Sequence, residues 1–367
     1  MKYPVNKPFF PPLEKYQQQL AKVYHNGWLT NNGPLVQELE RKLAEYLNVE
    51  YLLLVNNGTM ALDIAYRALE VDGLVITTPF TFAATTSSIC WQHNTPVFAD
   101  ISSESFTLDI ASVDDKTLSL ADAIVPVHVF GHPCQVDEIA AVAKKHNCKV
   151  IYDAAHAFAT TINNRSVLAY GDAATLSFHA TKLFHTVEGG AVVFKDKAVY
   201  EKAKLLVNFG LNSQQVPEFI GTNGKLSEVH AAMGLTNLTF IDALIKHRQQ
   251  LKAAYYDRLN TYMSFQTWQA NVTDNGAYMP VLLKNEAELL HVINVLAVEG
   301  IQARRYFYPS LSLVESFGQR GVTPIANDIA SRIMCLPLYA DLQLTDVKLI
   351  SDMLINVIKQ YRGRTTT

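Results

Sequence analysis

The run Ser177-Phe-His-Ala-Thr-Lys182, followed by Glu188-Gly189-Gly190, sets a serine, a histidine and a lysine just past an apolar stretch that reads as a strand. Desolvation in such a place lowers an ammonium pKa and frees the neutral amine for a Schiff base. The glycines let backbone approach closely. Taken alone, a lysine of this kind is more often a solvated loop residue. A second run, Val150-Ile-Tyr-Asp153-Ala-Ala-His156, ends a buried strand on a carboxylate. Open α/β sheets keep their ligands at the carboxyl ends of their strands. Asp153 could hold a pyridinium nitrogen protonated there, or it could cap a turn. His156 could contact a cofactor ring or its phenolic oxygen, or make one structural hydrogen bond. Asn57-Gly58-Thr59-Met60-Ala61 is a polar glycine turn from strand into helix. Backbone N–H groups and the helix dipole favour a phosphate at such a turn. No Gly-Lys-Ser/Thr follows, so this is not a Walker loop. In Pro79-Phe-Thr-Phe82-Ala-Ala-Thr85, the aromatic Phe82 could stack on a flat heterocycle or belong to the core. Each segment has a bland alternative. Lysine, carboxylate, phosphate turn and aromatic platform together make the set that pyridoxal 5'-phosphate (PLP) requires.

These groups can converge only if one sheet carries them. Short apolar runs over 51–55, 74–77, 96–99, 123–128, 149–153, 175–178 and 191–194 read as strands alternating with helical patterns, the signature of a mostly parallel sheet covered by helices. Pro34 opens a helix with Leu35, Leu39, Leu43 and Leu47 on one stripe. Helical patterns also cover 60–69 and the crossover 136–147. From Ser227 a long helical pattern runs to about Leu259 and joins the lobes. Beyond it, strand-like runs over 278–283 and 301–306 and helices over 286–299 and 346–361 suggest a smaller α+β lobe, with Thr345 as N-cap of the last helix and 362–367 frayed.

Composition narrows the class. With 367 residues, 49% apolar and 18% charged, the chain suits two unequal lobes of a soluble protein. A net charge of −3 leaves no basic footprint for nucleic acid. The four cysteines, Cys90, Cys134, Cys148 and Cys335, lack metal-ligand spacing and read as reduced thiols of a cytoplasmic protein, so no metal is expected. The start has no signal-peptide pattern, and no run of about 18 apolar residues could cross a membrane.

At this point the segments resemble the DegT/DnrJ/EryC1/StrS family of sugar-nucleotide aminotransferases. The likeness begins at Gly27-Trp-Leu-Thr30 with Gly33-Pro34, and continues through Asn57-Gly-Thr-Met-Ala-Leu62, Pro79 to Thr85 and Val127-His-Val-Phe-Gly131. It goes on through Asp153-Ala-Ala-His-Ala157, Ser177 to Lys182, Gly221-Thr-Asn-Gly-Lys-Leu-Ser-Glu228 with Ala231-Ala232, and Leu336-Pro-Leu338. The resemblance implies an α/β fold of the type I PLP-dependent transferases: a mostly parallel seven-stranded sheet flanked by helices, plus a smaller C-terminal α+β domain. It places the large PLP-binding domain at 1–240, with an N-terminal arm at 1–30, and the small domain at 241–367.

By the same likeness Lys182 would carry PLP as a Schiff base and then shuttle the proton, with pyridoxamine phosphate as the intermediate cofactor form. Asp153 would pair with the pyridine nitrogen, Phe82 would stack on the ring, and His156 would sit near the ring oxygen. Gly58, Thr59 and Ser177 would hold the phosphate, and in a homodimer with shared active sites Asn223 would reach the neighbour's phosphate. Thr30, Asn31, Lys225, Arg305 and Tyr308 would meet the sugar nucleotide. The partners implied are L-glutamate and a nucleotide-linked keto sugar, best matched by dTDP-4-keto-6-deoxy-D-glucose, with a 3-keto sugar as the alternative. Another type I PLP activity on a small amino acid, or a non-catalytic regulator, are the rival readings. Several positions depart from the family pattern: Asn57 replaces a usual Ser, Val71-Asp72-Gly73 is shorter than usual, Ala180 replaces Pro, and Gly224-Lys225 replaces Tyr-Arg. The last alters the group available to grip the nucleotide or its pyrophosphate. Family members with His in place of the lysine run dehydrations, whereas the lysine is present here.

Overall fold

The computed structural model describes residues 1–318 and 320–365. Seven strands, Tyr51–Val55, Leu74–Thr77, Thr95–Phe98, Ala121–Val125, Lys149–Asp153, Ala173–Ser177 and Gly190–Phe194, form one sheet. Taking them in chain order, their spatial order is first, seventh, sixth, fifth, fourth, second, third. Gly190–Phe194 alone runs against both its neighbours, and the remaining pairs are parallel. These strands are apolar along nearly their whole length because helices cover both faces; every residue of Gly190–Phe194 is buried. The sheet is therefore the expected α/β one, and the strand ends that carry Asp153 and Ser177 lie on adjacent parallel strands.

The helix Pro34–Leu47 buries Leu35, Leu39, Leu43 and Leu47 as its spacing predicts. Its N-cap is Gly33, which has no side chain to satisfy the first amides. The carboxylate of Glu228 does so instead, accepting from Leu35 N and Val36 N at 2.9 Å each. A Cβ on Gly33 would sit 2.6 Å from the Glu228 carboxyl carbon, so glycine is required for this approach. The Gly33-Pro34 turn and the distant Glu228 are thus one cap.

Five expectations are corrected. The pattern from 227 to 259 is two helices, Glu228–Leu238 and Ile241–Leu259. Thr236 and Thr239 turn their hydroxyls onto the carbonyls of Ala232 and Thr236, and Phe240, at φ −110° and ψ −5°, stands as the N-cap of the second helix. The run 301–306 forms no strand; it pairs with other chain segments at two isolated bridges, Tyr3 with Ile301 and Arg304 with Cys335. The strand expected over 278–283 is reduced to Pro280–Leu282, paired antiparallel with Ile333–Cys335. Thr345 lies inside the helix Leu344–Thr365, not at its cap. The expected fraying from 362 does not occur at Arg362, whose guanidinium bonds the buried Glu288 carboxylate at 2.7 Å and the Tyr262 carbonyl at 3.0 Å; residues 366–367 lie outside the described residues.

The stretch 1–30 contains the helix Leu13–Asn26. Ahead of it, Tyr3 packs into the C-terminal core with Leu251, Leu289, Leu336 and Ile350. The start of the chain therefore ties onto the far lobe. Among the described residues no helix is long and apolar enough to cross a membrane.

Candidate active site

Lys182 stands in the loop between Ala173–Ser177 and Gly190–Phe194. Its amide closes a turn onto the His179 carbonyl at 2.8 Å. The loop returns through Thr186, whose hydroxyl bonds the Glu188 carbonyl at 2.6 Å. A Cβ on Gly189 would lie 2.1 Å from that hydroxyl, so the return path demands glycine. Burial pushes the Lys182 amine down to about 8, against the opposing pull of the Asp153 charge. An amine so tuned is neutral in about a tenth of molecules at pH 7, against fewer than about one in a thousand for an ordinary lysine, which suits attack on a carbonyl.

Asp153 ends its strand with the carboxyl group buried. One oxygen accepts from the Thr85 hydroxyl at 2.7 Å and the other from the Ala155 amide at 3.1 Å. The Thr81 hydroxyl lies 2.8 Å from that of Thr85, and since Thr85 donates to Asp153, Thr81 donates to Thr85. Burial raises the carboxyl pKa, while these two bonds and the Lys182 charge draw it back. His156 is held far below the ordinary imidazole range by burial. Its Nδ1 accepts from the Phe130 amide at 3.1 Å, so the neutral ring carries its proton on Nε2.

The helix Gly58–Ala68 starts at the same strand ends. Asn57 caps it through its side chain to Met60 N at 2.7 Å, and its carbonyl takes the Ala61 amide. Among the described residues neither the Gly58 nor the Thr59 amide has a protein partner, and both belong to the electropositive first turn. A Cβ on Gly58 would lie 2.8 Å from Ser177 Cβ, so the bare backbone there is what lets helix and strand close together.

A cavity of about 370 Å³ gathers Gly58, Thr59, Phe82, Asp153, His156, Ser177 and Lys182. Phe82, 59% exposed, offers its ring to a ligand and is not core. The other candidates lie outside this cavity. Thr30, Asn31, Asn223 and Tyr308 are exposed on the single chain. Asn31 and Lys225 share a separate hollow of about 160 Å³, where Lys225 donates to Asn208 at 2.8 Å. Arg305 is tied to Glu286 at 2.6 Å and to the Ser331 carbonyl at 2.8 Å, and lies over the Tyr308 ring. Its neighbour Arg304 lines the cavity instead, with Tyr306, Phe307 and Tyr278.

Thr81, Thr85, Tyr278 and Arg304 join the site in the fold without standing out in the sequence. The two threonines stand four apart in a segment already singled out, a spacing that could have found them. Tyr278 and Arg304 carry no local motif.

These residues fit PLP. A buried carboxylate answers a protonated ring nitrogen, two open helix-terminal amides beside the Ser177 hydroxyl answer a phosphate, and a partly deprotonated lysine answers the aldehyde. An exposed phenyl ring covers a flat heterocycle.

Comparison with known proteins agrees. The model of the DegT/DnrJ/EryC1/StrS aminotransferase family matches residues 13–355. A dTDP-4-amino-4,6-dideoxy-D-glucose transaminase of Shigella dysenteriae is 40% identical, with 98% of each chain covered. An Escherichia coli protein of the same description is 36% identical over 96% of this chain and 98% of its own. The crystal structure of DesI in the presence of its TDP-sugar product superposes with a TM-score of 0.91 at 32% identity, covering 100% of this chain and 95% of that one.

Proposed function

The chain belongs to the DegT/DnrJ/EryC1/StrS aminotransferase family, and from that premise we propose that it moves the amino group of L-glutamate to the C4 ketone of dTDP-4-keto-6-deoxy-D-glucose, giving dTDP-4-amino-4,6-dideoxy-D-glucose. The observation that carries this reading is the 40% identity, over nearly the whole of both chains, to a transaminase named for that product. The lysine–carboxylate pair in the cavity supports it.

Aminotransferases of this family depend on PLP. When bound, PLP supplies an electron-poor ring that accommodates the electrons left when a C–H bond beside the nitrogen breaks. Lys182 would form the covalent link to the cofactor and, once released, take the proton from one carbon and return it to another. Asp153 would keep the ring nitrogen protonated, with Thr85 and Ala155 fixing which way its oxygens face. His156 would donate from Nε2 toward the ring oxygen. The Gly58 and Thr59 amides and the Ser177 hydroxyl would hold the phosphate, and Phe82 would cover the ring. Arg304 brings a guanidinium to the mouth, where either anionic substrate would meet it.

The working unit in this reading is a homodimer with shared sites. Residues 1–240 form the PLP domain and 241–367 the small domain. Phe209, Val216 and Ile220 support the dimer, since they are 51%, 53% and 92% exposed on the hairpin that also carries Asn223. Apolar surface of that kind asks for cover. The same pairing would bring Asn223 to the partner's phosphate, with Thr30, Asn31, Lys225 and Tyr308 around the sugar nucleotide. Reduced thiols suit a cytoplasmic enzyme.

The test is direct. Incubation with L-glutamate and dTDP-4-keto-6-deoxy-D-glucose is expected to give a dTDP-amino sugar whose NMR spectrum places nitrogen on C4. Amination only of a 3-keto isomer would contradict the proposal.

A further inference from the structure

Tyr278 reaches the cavity from 96 residues beyond Lys182, and the Lys182 amine donates to its hydroxyl at 3.4 Å. The tyrosine ring is fixed on several sides. It lies 4.4 Å from the His156 ring, 5.7 Å from that of Phe130 and 6.0 Å from that of Tyr306. The backbone that carries it is fixed as well. Asn275 donates to the carbonyls of His156 and Phe158 at 2.8 and 2.9 Å, and accepts from the Ala277 amide at 3.0 Å. The buried Arg248 donates to the Ala277 carbonyl at 3.1 Å. A hydroxyl clamped this way cannot follow a wandering amine; the amine must come to it.

We infer that Tyr278 is a positioning residue whose hydroxyl holds the Lys182 amine in place whenever that amine is free of the cofactor. The inference rests on the role given to Lys182 above and deepens it. A proton-transferring lysine swings on a four-carbon stem, and its efficiency depends on how narrowly its nitrogen is confined. Asp153 pulls the amine by charge alone, while Tyr278 supplies a directed partner. The other groups facing this space are His156, the lysine loop's own His179 and Glu188, and Arg304 with Tyr306 on the far wall. His179 and Glu188 lie 3.7 Å apart and face each other across the lip. Burial keeps the Tyr278 hydroxyl protonated and neutral. It therefore favours the ammonium over the amine as its partner, because hydrogen bonds to a charged donor are the stronger ones.

The experiment uses Tyr278→Phe, which keeps the ring against His156 and removes only the hydroxyl. Cofactor-free wild type and variant are treated with trace acetic anhydride across the range in which lysine amines titrate. Acetylation of the Lys182 peptide is then read by mass spectrometry, with matching thermal melts as the check on folding. The midpoint is expected to fall by about half a pH unit or more in the variant. With PLP restored, the glutamate half-reaction is expected to slow about tenfold or more with the glutamate KM unchanged. A Lys182 profile that coincides with wild type overturns the contact, whatever the rates do. A shifted profile with an unaltered half-reaction rate overturns the positioning role. Absence of any glutamate half-reaction in the wild type would count against the proposed function instead, and the acetylation profiles would still decide the contact.

Discussion

Lys182→Ala is expected to lower amino transfer by at least about 10⁴-fold, because one side chain serves both as covalent link and as proton carrier. Nothing else in the cavity can replace it. His156 Nδ1 is occupied by the Phe130 amide and its ring is held neutral by burial. His179 and Glu188 stand at the lip. The variant should still take up PLP, since the phosphate turn, Asp153 and Phe82 are untouched, but without the absorbance of a lysine-linked cofactor. Single-turnover measurements on purified protein check both points. A variant that transfers amino groups at more than about a hundredth of the wild-type rate would remove Lys182 from the mechanism.

Asp153→Asn is expected to lower turnover by about 10³-fold, the scale on which a fixed electrostatic group at a reacting centre acts. The amide oxygen can still accept from the Thr85 hydroxyl, while its NH2 takes the place of the oxygen that accepts from the Ala155 amide, so one of the two orienting bonds goes with the charge. What is lost is the negative charge that holds the ring nitrogen protonated. The lysine should respond too. Asp153 raises the Lys182 pKa against the effect of burial, so its removal should move the amine's midpoint further below about 8 and enlarge the neutral fraction at any given pH. The variant should therefore be slow although its lysine is more nucleophilic. Measured rates and the acetylation profile of Lys182 together check this. Loss of rate with an unshifted or raised lysine midpoint would mean that the two groups do not share one field.

How far the sequence disclosed this arrangement depended on where each group came from. Asp153, Lys182 and the Gly58 turn follow directly from strands whose apolar runs mark them, so residue type and local context were enough to single them out. The cap on Pro34–Leu47 was legible only in halves: Gly33-Pro34 announced a helix start, but Glu228 arrives from 192 residues away. Tyr278 lies just ahead of the three-residue strand Pro280–Leu282, and Arg304 meets Cys335 at one isolated bridge, so neither sits in a run long enough for periodicity to mark a direction. Arg304 and Arg305 are adjacent, and nothing along the chain says which of the two turns inward. The split at Thr239-Phe240 holds no glycine or proline, so no residue type there marks the break between the two helices.

The central claim is that this cavity passes an amino group from glutamate through PLP to a sugar ketone. It is tested most directly by the visible spectrum of the PLP-loaded protein. The absorbance of lysine-linked PLP should bleach on addition of L-glutamate and return on addition of dTDP-4-keto-6-deoxy-D-glucose. A band that glutamate leaves unchanged, or that bleaches and is not restored by the keto sugar, would contradict the account.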